Sequence, residues 1–84
     1  MKKSEIMDWL VEWFTENSTF EEAEIRGAIK ESYFDKGIID SFTFIQLISD
    51  IEMEYQIEFE NDQFEDRSFA TIEGLTAIIE RSLQ

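Results

Sequence analysis

Apolar residues recur at intervals of three and four positions in three separate segments of this 84-residue chain. The three stripes are Ile6, Leu10, Trp13 and Phe14 with Trp9 beside them, then Phe44, Leu47, Ile48, Ile51 and Tyr55, and finally Ile72, Leu75, Ile78, Ile79 and Leu83. Such spacing places the side chains of each stripe on one face of an α-helix. Because the chain contains no cysteine, these apolar faces must stabilise the fold without disulfides.

Polar residues mark the ends of the three predicted helices. Ser4 is placed to cap the first helix, which we expect to run to about Asn17, and Thr71 is placed to cap the last one. The middle helix follows Asp40 and extends to about Tyr55. These boundaries leave two connections whose structure the helical spacing does not fix.

The first connection, residues 18–40, is long for a small domain. Its residues from Glu21 to Lys30 favour a turn or two of helix, but Gly27 and Gly37 interrupt the segment. We therefore predict a long, partly helical connection.

The second connection begins with alternating apolar and polar residues from Tyr55 to Glu60, a pattern typical of a strand. A strand without a partner is unstable, so we predict an extended linker instead. The following residues, Asp62 to Asp66 around Phe64, are predicted to form a short third helix.

These elements predict an all-α fold, a small four-helix bundle with three main helices, one short helix and a long first connection. We expect residues 1–84 to form a single domain, because a chain of this length builds one core. The chain opens on an amphipathic pattern without a continuous apolar run, so we expect no membrane insertion and a cytoplasmic, monomeric protein.

Acidic residues dominate the charge, with twenty Asp and Glu against seven Lys and Arg and a net charge of −13. The stretch from Gly37 to Asp66 contains nine acidic residues and no basic one. This balance disfavours nucleic acid and anionic membranes as partners and favours proteins with basic patches. The alternative is that the acidic residues form a solvated face and bind nothing.

The chain contains neither histidine nor cysteine, so it lacks the commonest general base, a thiolate nucleophile and the usual ligands of transition metals. No serine has a lysine three positions later, and the three glycines are too scattered for a phosphate-binding loop. Carboxylate pairs remain as an acid and a base, but a small domain offers little room for the concave site they need. We therefore expect no catalytic residue and no metal site.

One face of the middle helix points away from its apolar stripe. A helical wheel places Phe42, Ile45, Ser49, Glu52 and Met53 on this face. Large apolar side chains flanked by Asp50, Glu52 and Glu54 are typical of a docking surface, with apolar contacts for affinity and charges for steering. The alternative is that Phe42 and Ile45 tuck under the preceding connection.

Ser41 falls in the first turn of the same helix, directly after the long connection. A serine beside an aspartate at a helix start is ordinary capping chemistry. The same position is accessible, however, and the helix dipole favours a phosphate there.

The segment from Phe34 to Phe42, with its Asp-Ser-Phe sequence at residues 40–42, resembles the phosphopantetheine attachment site of acyl and peptidyl carrier proteins. Their signature is Asp-Ser-Leu or a close variant. The resemblance continues through the middle helix to Tyr55, includes Ile57 and Phe59, and resumes at residues 71 and 72. Nearly the whole chain fits the layout of the family.

The resemblance implies that Ser41 is the attachment serine and that 4′-phosphopantetheine is transferred to it from coenzyme A by a separate phosphopantetheinyl transferase. It also implies an acyl- or aminoacyl-loading ligase and downstream enzymes as partners, whose basic patches recognise the middle helix. The candidate recognition residues are Asp40, Phe42, Ile45, Asp50, Glu52, Met53 and Glu54. The reactive thiol would then belong to the arm, which agrees with a chain that lacks cysteine.

Some positions depart from the carriers of fatty acid synthesis. Phe42 replaces the commoner leucine, and Gln46 and Met53 stand where those carriers often have acids. The chain is more similar to stand-alone carriers of specialised pathways, such as those that load amino acids or unusual acyl groups. The pathway, which could be fatty acid, polyketide or nonribosomal peptide synthesis, and the cargo stay open. The alternative function is an acidic helical adaptor or inhibitor that uses the same face without a prosthetic group.

Overall fold

Four α-helices and two short 3-10 helices make up residues 2–83, the part of the chain that the structure, a computed structural model, describes. The α-helices are α1 (Lys3–Glu16), α2 (Glu22–Gly27), α3 (Ser41–Tyr55) and α4 (Ile72–Ser82), and the 3-10 helices are η1 (Asn61–Glu65) and η2 (Arg67–Ala70). No strand occurs among these residues, and the predicted all-α bundle with three main helices is confirmed. None of the described helices is both long and apolar enough to cross a membrane.

The ends of the main helices agree with the sequence except at the start of α1. This helix begins at Lys3, so Ser4 lies inside the first turn, and the prediction that Ser4 caps it is wrong. Lys2 occupies the cap position without a side-chain bond, and its carbonyl oxygen accepts the first helical hydrogen bonds. Thr71 does cap α4, because its Oγ1 accepts a hydrogen bond of 2.9 Å from the backbone N–H of Gly74.

The core lies where α1, α3 and α4 bring their apolar faces together. Its fully buried side chains include Ile6, Leu10, Phe14, Leu47, Ile51, Leu75 and Ile79. Each such side chain contributes about 1.5–3 kcal/mol on leaving water. Leu83 is the exception among the predicted stripes, since it follows the end of α4 and remains 37% exposed.

The first connection is partly helical, as predicted, and its helical part is α2. Ile25 of α2 is fully buried and fastens this short helix to the core. A turn at Gly37, with a φ of 71° that favours glycine, then reverses the chain. The backbone N–H of Ile38 donates to the carbonyl of Tyr33 at 2.9 Å and closes this turn.

Tyr33 joins the first connection to the last third of the chain. Its backbone N–H donates to the carbonyl of Ala70 at 3.0 Å, and its hydroxyl donates to the carbonyl of Phe69. The ring is fully buried, and burial raises the pKa of the Tyr33 hydroxyl above its ordinary value. A further bond of 3.0 Å runs from the N–H of Glu73 to the carbonyl of Ile29, so the connection is held at two points.

The second connection contains the predicted linker, but the predicted short helix has a different geometry. Gln56 ends α3 in the left-handed conformation, with φ 53°, and residues 57–60 carry no regular structure. The segment predicted as a helix around Phe64 is the 3-10 helix η1. Five residues are too few for a stable α-helix, whereas 3-10 geometry suits short segments.

Close contact between α4 and η2 requires a glycine at position 74. A Cβ built on Gly74 would lie 2.8 Å from both the carbonyl carbon and the Cα of Ser68 and closer still to its carbonyl oxygen. These are backbone atoms, so they cannot move aside without shifting η2 as a whole. Gly27, at the end of α2, is the opposite case, because a Cβ there would meet no atom within 4 Å.

We expect Gly74→Ala to lower the free energy of unfolding by about 1–3 kcal/mol, the usual cost of forcing extra volume into a packed region. Urea denaturation measures this change. Gly27→Ala is the matched control, which we expect to be neutral or mildly stabilising because alanine favours helix and the space is open. Equal stability of the two variants would contradict the tight packing of α4 on η2.

Candidate functional site

The start of α3 is presented to solvent by the turn that precedes it. Ile38 and Ile39 are 5% and 7% exposed and anchor the end of the first connection in the core. The chain then emerges, so that Asp40 and Ser41 are both exposed. Ser41 is the first residue of α3, and its hydroxyl is therefore accessible at the N-terminus of a main helix.

Asp40, and not Ser41, caps α3. The Oδ1 atom of Asp40 accepts a hydrogen bond of 2.9 Å from the backbone N–H of Thr43. This bond is the main reason why the pKa of Asp40 lies below its ordinary value. The interpretation of Ser41 as a capping residue is wrong, because the side chain one position earlier makes the cap and leaves the Ser41 hydroxyl outside it.

The side of α3 that faces the core is the predicted stripe. Leu47 and Ile51 are fully buried and Tyr55 is 8% exposed. Phe44 and Ile48 pack against this core while staying partly accessible. The stripe fixes the rotation of α3 and therefore decides which residues face outward.

The outward side carries the exposed apolar residues of the predicted recognition face. Phe42, Ile45 and Met53 are 85%, 67% and 77% exposed. The alternative, that Phe42 and Ile45 tuck under the preceding connection, is wrong, because both side chains remain largely exposed. These side chains form an accessible apolar line along α3.

Two predicted carboxylates of this face form hydrogen bonds within the chain. Asp50 is half-buried and accepts bonds from Trp13 Nε1 at 2.7 Å and from Gln46 Nε2 at 2.8 Å. Glu52, also half-buried, accepts a bond of 3.0 Å from the backbone N–H of Phe59. Both carboxylates therefore tie α3 to its neighbours, one on each side of the helix.

The pairing of Asp50 with Trp13 has no signal in the sequence. The two residues are 37 positions apart, and each belongs to a helix whose periodicity explains it without the other. The bond does account for Gln46, one of the departures from the fatty acid carriers. A glutamate at that position would place a second carboxylate one turn from Asp50, where like charges repel.

An apolar cavity of about 420 Å³ runs along α3 on the side where Ser41 projects. It is lined by Phe44, Ile45, Ile48, Ser49, Glu52 and Phe64. Ser41, Ile45, Ile48 and Glu52 recur at helical spacing and lie on one line along the helix. This spacing could have revealed one wall of the cavity, but the other wall, at Phe64 of η1, depends on the tertiary fold.

An exposed serine at a helix start beside an open apolar cavity suits a domain that carries a group on its surface. A family model described as PP-binding, phosphopantetheine attachment site, matches residues 11–79. The chain therefore belongs to this family of phosphopantetheine-binding carrier domains. Comparisons with curated proteins and with solved structures gave no significant match.

Members of this family bind 4′-phosphopantetheine and are carriers, so the protein is not an enzyme. The start of α3 fits such a group. Ser41 offers an exposed hydroxyl, and the unsatisfied N–H groups and dipole of a helix N-terminus favour the negative charge of a phosphodiester. When bound, such a group would supply a terminal thiol able to form a thioester.

The cap at Asp40 leads to a prediction about how the stability of the fold depends on pH. Asp40→Ala should lower the urea midpoint at neutral pH, and Asp40→Asn should lower it less, because an amide oxygen accepts the same hydrogen bond. The lowered pKa of Asp40 means that its charged form stabilises the fold above the ordinary pKa of 3.8. This stabilisation is lost as the pH falls through the lower folded-state pKa.

Urea titrations of the wild type and both variants from neutral to strongly acidic pH measure this effect. The difference between the wild type and Asp40→Asn should shrink below pH 3.8. A difference that stays constant into that range would show that the charge of Asp40 does not contribute to the cap.

Proposed function

We propose that this protein tethers acyl intermediates as thioesters on a 4′-phosphopantetheine arm attached to Ser41 and delivers them to partner enzymes, acting as a cytoplasmic monomer. The observation that carries the proposal is the exposed hydroxyl of Ser41 at the start of α3, within a chain that belongs to the phosphopantetheine-binding family. The Asp-Ser-Phe sequence at residues 40–42 supports the choice of this serine.

The attachment step requires only a nucleophile from this chain. Ser41 Oγ forms a bond to a phosphorus of coenzyme A, the pyrophosphate P–O bond breaks, and the adenosine bisphosphate half leaves. A base of the separate magnesium-dependent transferase takes the hydroxyl proton. Asp40 is occupied with the N–H of Thr43, which supports a role for Asp40 in holding the helix start and leaves the base to the transferase.

The outward side of α3 supports recognition by partner enzymes. Phe42, Ile45 and Met53 offer apolar contact area beside the exposed carboxylates of Asp40 and Glu54. Asp50 and Glu52 contribute charge to the same helix while they hold their internal hydrogen bonds. Charges at the edge of an interface mainly raise the rate of association, which suits a carrier that must bind and leave many times.

The cavity beside α3 favours an acyl cargo over a polar one. Its walls are mainly apolar, and it lies on the side of the helix where Ser41 projects. Burying an alkyl chain stabilises by up to about 0.8 kcal/mol per methylene. The cavity is open along its length, so a cargo held there remains available to a docked enzyme.

Ser41→Ala tests the attachment. After incubation with coenzyme A, magnesium and a broad-specificity phosphopantetheinyl transferase, the wild type should gain the mass of one phosphopantetheine and Ser41→Ala should gain none. Intact-protein mass spectrometry measures this. Ser49→Ala, a substitution of another exposed serine of α3, is the matched control and should be modified like the wild type.

The same experiment separates the carrier from the adaptor. Because Ser41 does not cap α3, Ser41→Ala should fold with unchanged stability, so a loss of modification reports the hydroxyl alone. No mass gain by the wild type with several transferases would favour an acidic adaptor that uses the face of α3 without an arm.

Loading acyl chains of different lengths tests whether the apolar cavity holds the cargo. Forms loaded with acyl chains of increasing length should unfold at rising urea concentrations, because each added methylene leaves water. Ile45→Gln should reduce this increase, since Ile45 lines the cavity. Phe42→Gln is the control, because Phe42 is also a large, exposed apolar residue of α3 but is not among the lining residues. A midpoint independent of chain length would argue for a solvated, aminoacyl type of cargo.

A further inference from the structure

A groove around Trp9 of α1 lies on the side of α3 away from the apolar cavity. It consists of two cavities that share Trp9, one of about 330 Å³ between α1 and α3 and one of about 200 Å³ lined by α1 alone. The first is lined by Trp9, Asp50, Met53 and Glu54, and the second by Trp9, Glu12, Trp13 and Glu16. We call this feature the Trp9 groove.

The aromatic floor of the Trp9 groove is held in place by contacts within the chain. The Trp13 indole N–H donates to Asp50 at 2.7 Å, and this ring is 7% exposed. The Trp9 ring meets Tyr55 edge to face, with centroids 5.6 Å apart, and remains partly accessible. A ring that is already ordered loses little conformational entropy when a ligand packs on it.

The walls of the Trp9 groove are negatively charged. Glu12 and Glu16 project from α1 and Glu54 from α3, and all three are exposed. The ion pairs within residues 2–83 join Arg26 and Lys36 to other carboxylates and involve none of these three. The residues lining the groove include no Lys or Arg, and the chain as a whole carries a charge of −13.

We propose that the Trp9 groove docks a basic segment of a partner enzyme through an arginine side chain. A guanidinium stacks on an accessible indole face, where cation–π attraction adds to charge attraction, and Arg does this better than Lys. Glu54 and Glu12, one from each of the two cavities that share Trp9, supply the charge complement, while Met53, 77% exposed, offers an adaptable apolar contact. The combination of an aromatic floor and acidic walls selects a cation over an uncharged apolar ligand.

The position of the Trp9 groove leaves the start of α3 free. Glu54 lies thirteen residues after Ser41, about 20 Å along the helix axis at 1.5 Å per residue. Asp50 projects about 180° around the axis from Ser41 at 100° per residue. A partner docked in the groove therefore anchors the carrier while the attachment point remains open.

The statement that the attachment point stays open rests on the proposed function, because it concerns the arm at Ser41. The docking of a basic segment in the Trp9 groove does not rest on it. A partner bound at the Trp9 groove and a transferase acting at Ser41 should not compete. The outward line of Phe42, Ile45 and Met53 is the rival docking surface; it shares Met53 with the Trp9 groove, whereas Phe42 and Ile45 are not among the residues that line the groove.

The two tryptophans of the chain both line the groove, so their indole signals report directly on its occupancy. The probe is a short helical peptide of alanine, leucine and arginine with its arginines on one face. A second peptide, in which citrulline replaces arginine, has the same shape without the charge. Titration of the ¹⁵N-labelled protein at low salt, followed by two-dimensional NMR, should shift both indole N–H signals with the arginine peptide only.

Substitutions test whether the arginine peptide binds in the Trp9 groove. Glu12→Gln combined with Glu54→Gln should weaken the arginine peptide by about three-fold or more, since two rim charges are lost. Glu58→Gln combined with Glu65→Gln makes the same change in net charge at exposed residues that do not line the groove, and it should leave affinity nearly unchanged. Trp9→Leu should also weaken binding, because it removes the indole face but keeps an apolar residue.

Several results would overturn the proposal: equal binding of the citrulline peptide, shifts confined to the Phe42 end of α3, or equal weakening by both pairs of Gln substitutions. Ser41→Ala should bind the peptide like the wild type, so a failure of phosphopantetheine attachment does not affect this test. Conversely, saturating peptide should leave the rate of modification at Ser41 unchanged. A peptide that binds the groove but blocks modification would overturn the separation of the two sites.

Discussion

The start of α3 depends on the two hydrogen bonds of Tyr33. This residue joins the first connection to η2 through its backbone N–H and its hydroxyl, and its ring fills the core between them. The Gly37 turn follows directly, and Ile38 and Ile39 return to the core. Because both sides of this turn are anchored, the chain enters α3 in a fixed direction, and the accessibility of Ser41 follows from packing rather than from a flexible loop.

Two carboxylates of α3 hold the rest of the helix against its neighbours. Asp50 binds the indole of Trp13 on the α1 side, and Glu52 binds the backbone of Phe59 on the side of the second connection. In a chain with twenty acidic residues, these two therefore differ from the exposed carboxylates, because each is half-buried and accepts a hydrogen bond from another part of the fold. Asp50 lines the Trp9 groove and Glu52 lines the apolar cavity, which lie on opposite sides of the same helix.

Local periodicity was sufficient to predict the main helices, the cap at Thr71 and the exposure of Phe42 and Met53, because each of these depends on residues within one or two turns. The errors at the helix caps are local: Ser4 and Ser41 both satisfy the preference for a cap, but α1 starts earlier and Asp40 caps α3. The features that the sequence did not predict depend on distant contacts. The apolar cavity needs Phe64 opposite α3, and the Trp9 groove needs α1 beside α3, so no single stretch of sequence contains either. Ser41 could be proposed as the attachment residue from the sequence alone, since the Asp-Ser-Phe signature is short and continuous.

A single helix that contributes to the core and lines both the apolar cavity and the Trp9 groove tolerates few changes of register. Insertion of one residue in α3 would rotate every later side chain by about 100°, turning Leu47 and Ile51 out of the core and moving Asp50 away from Trp13. Substitutions on the outward side are free of this constraint, because Phe42 and Met53 contact little else. We therefore expect the choice of partner to be set by these exposed positions and by Trp9, while the hydrogen-bonded residues keep the helix in the rotation that presents them.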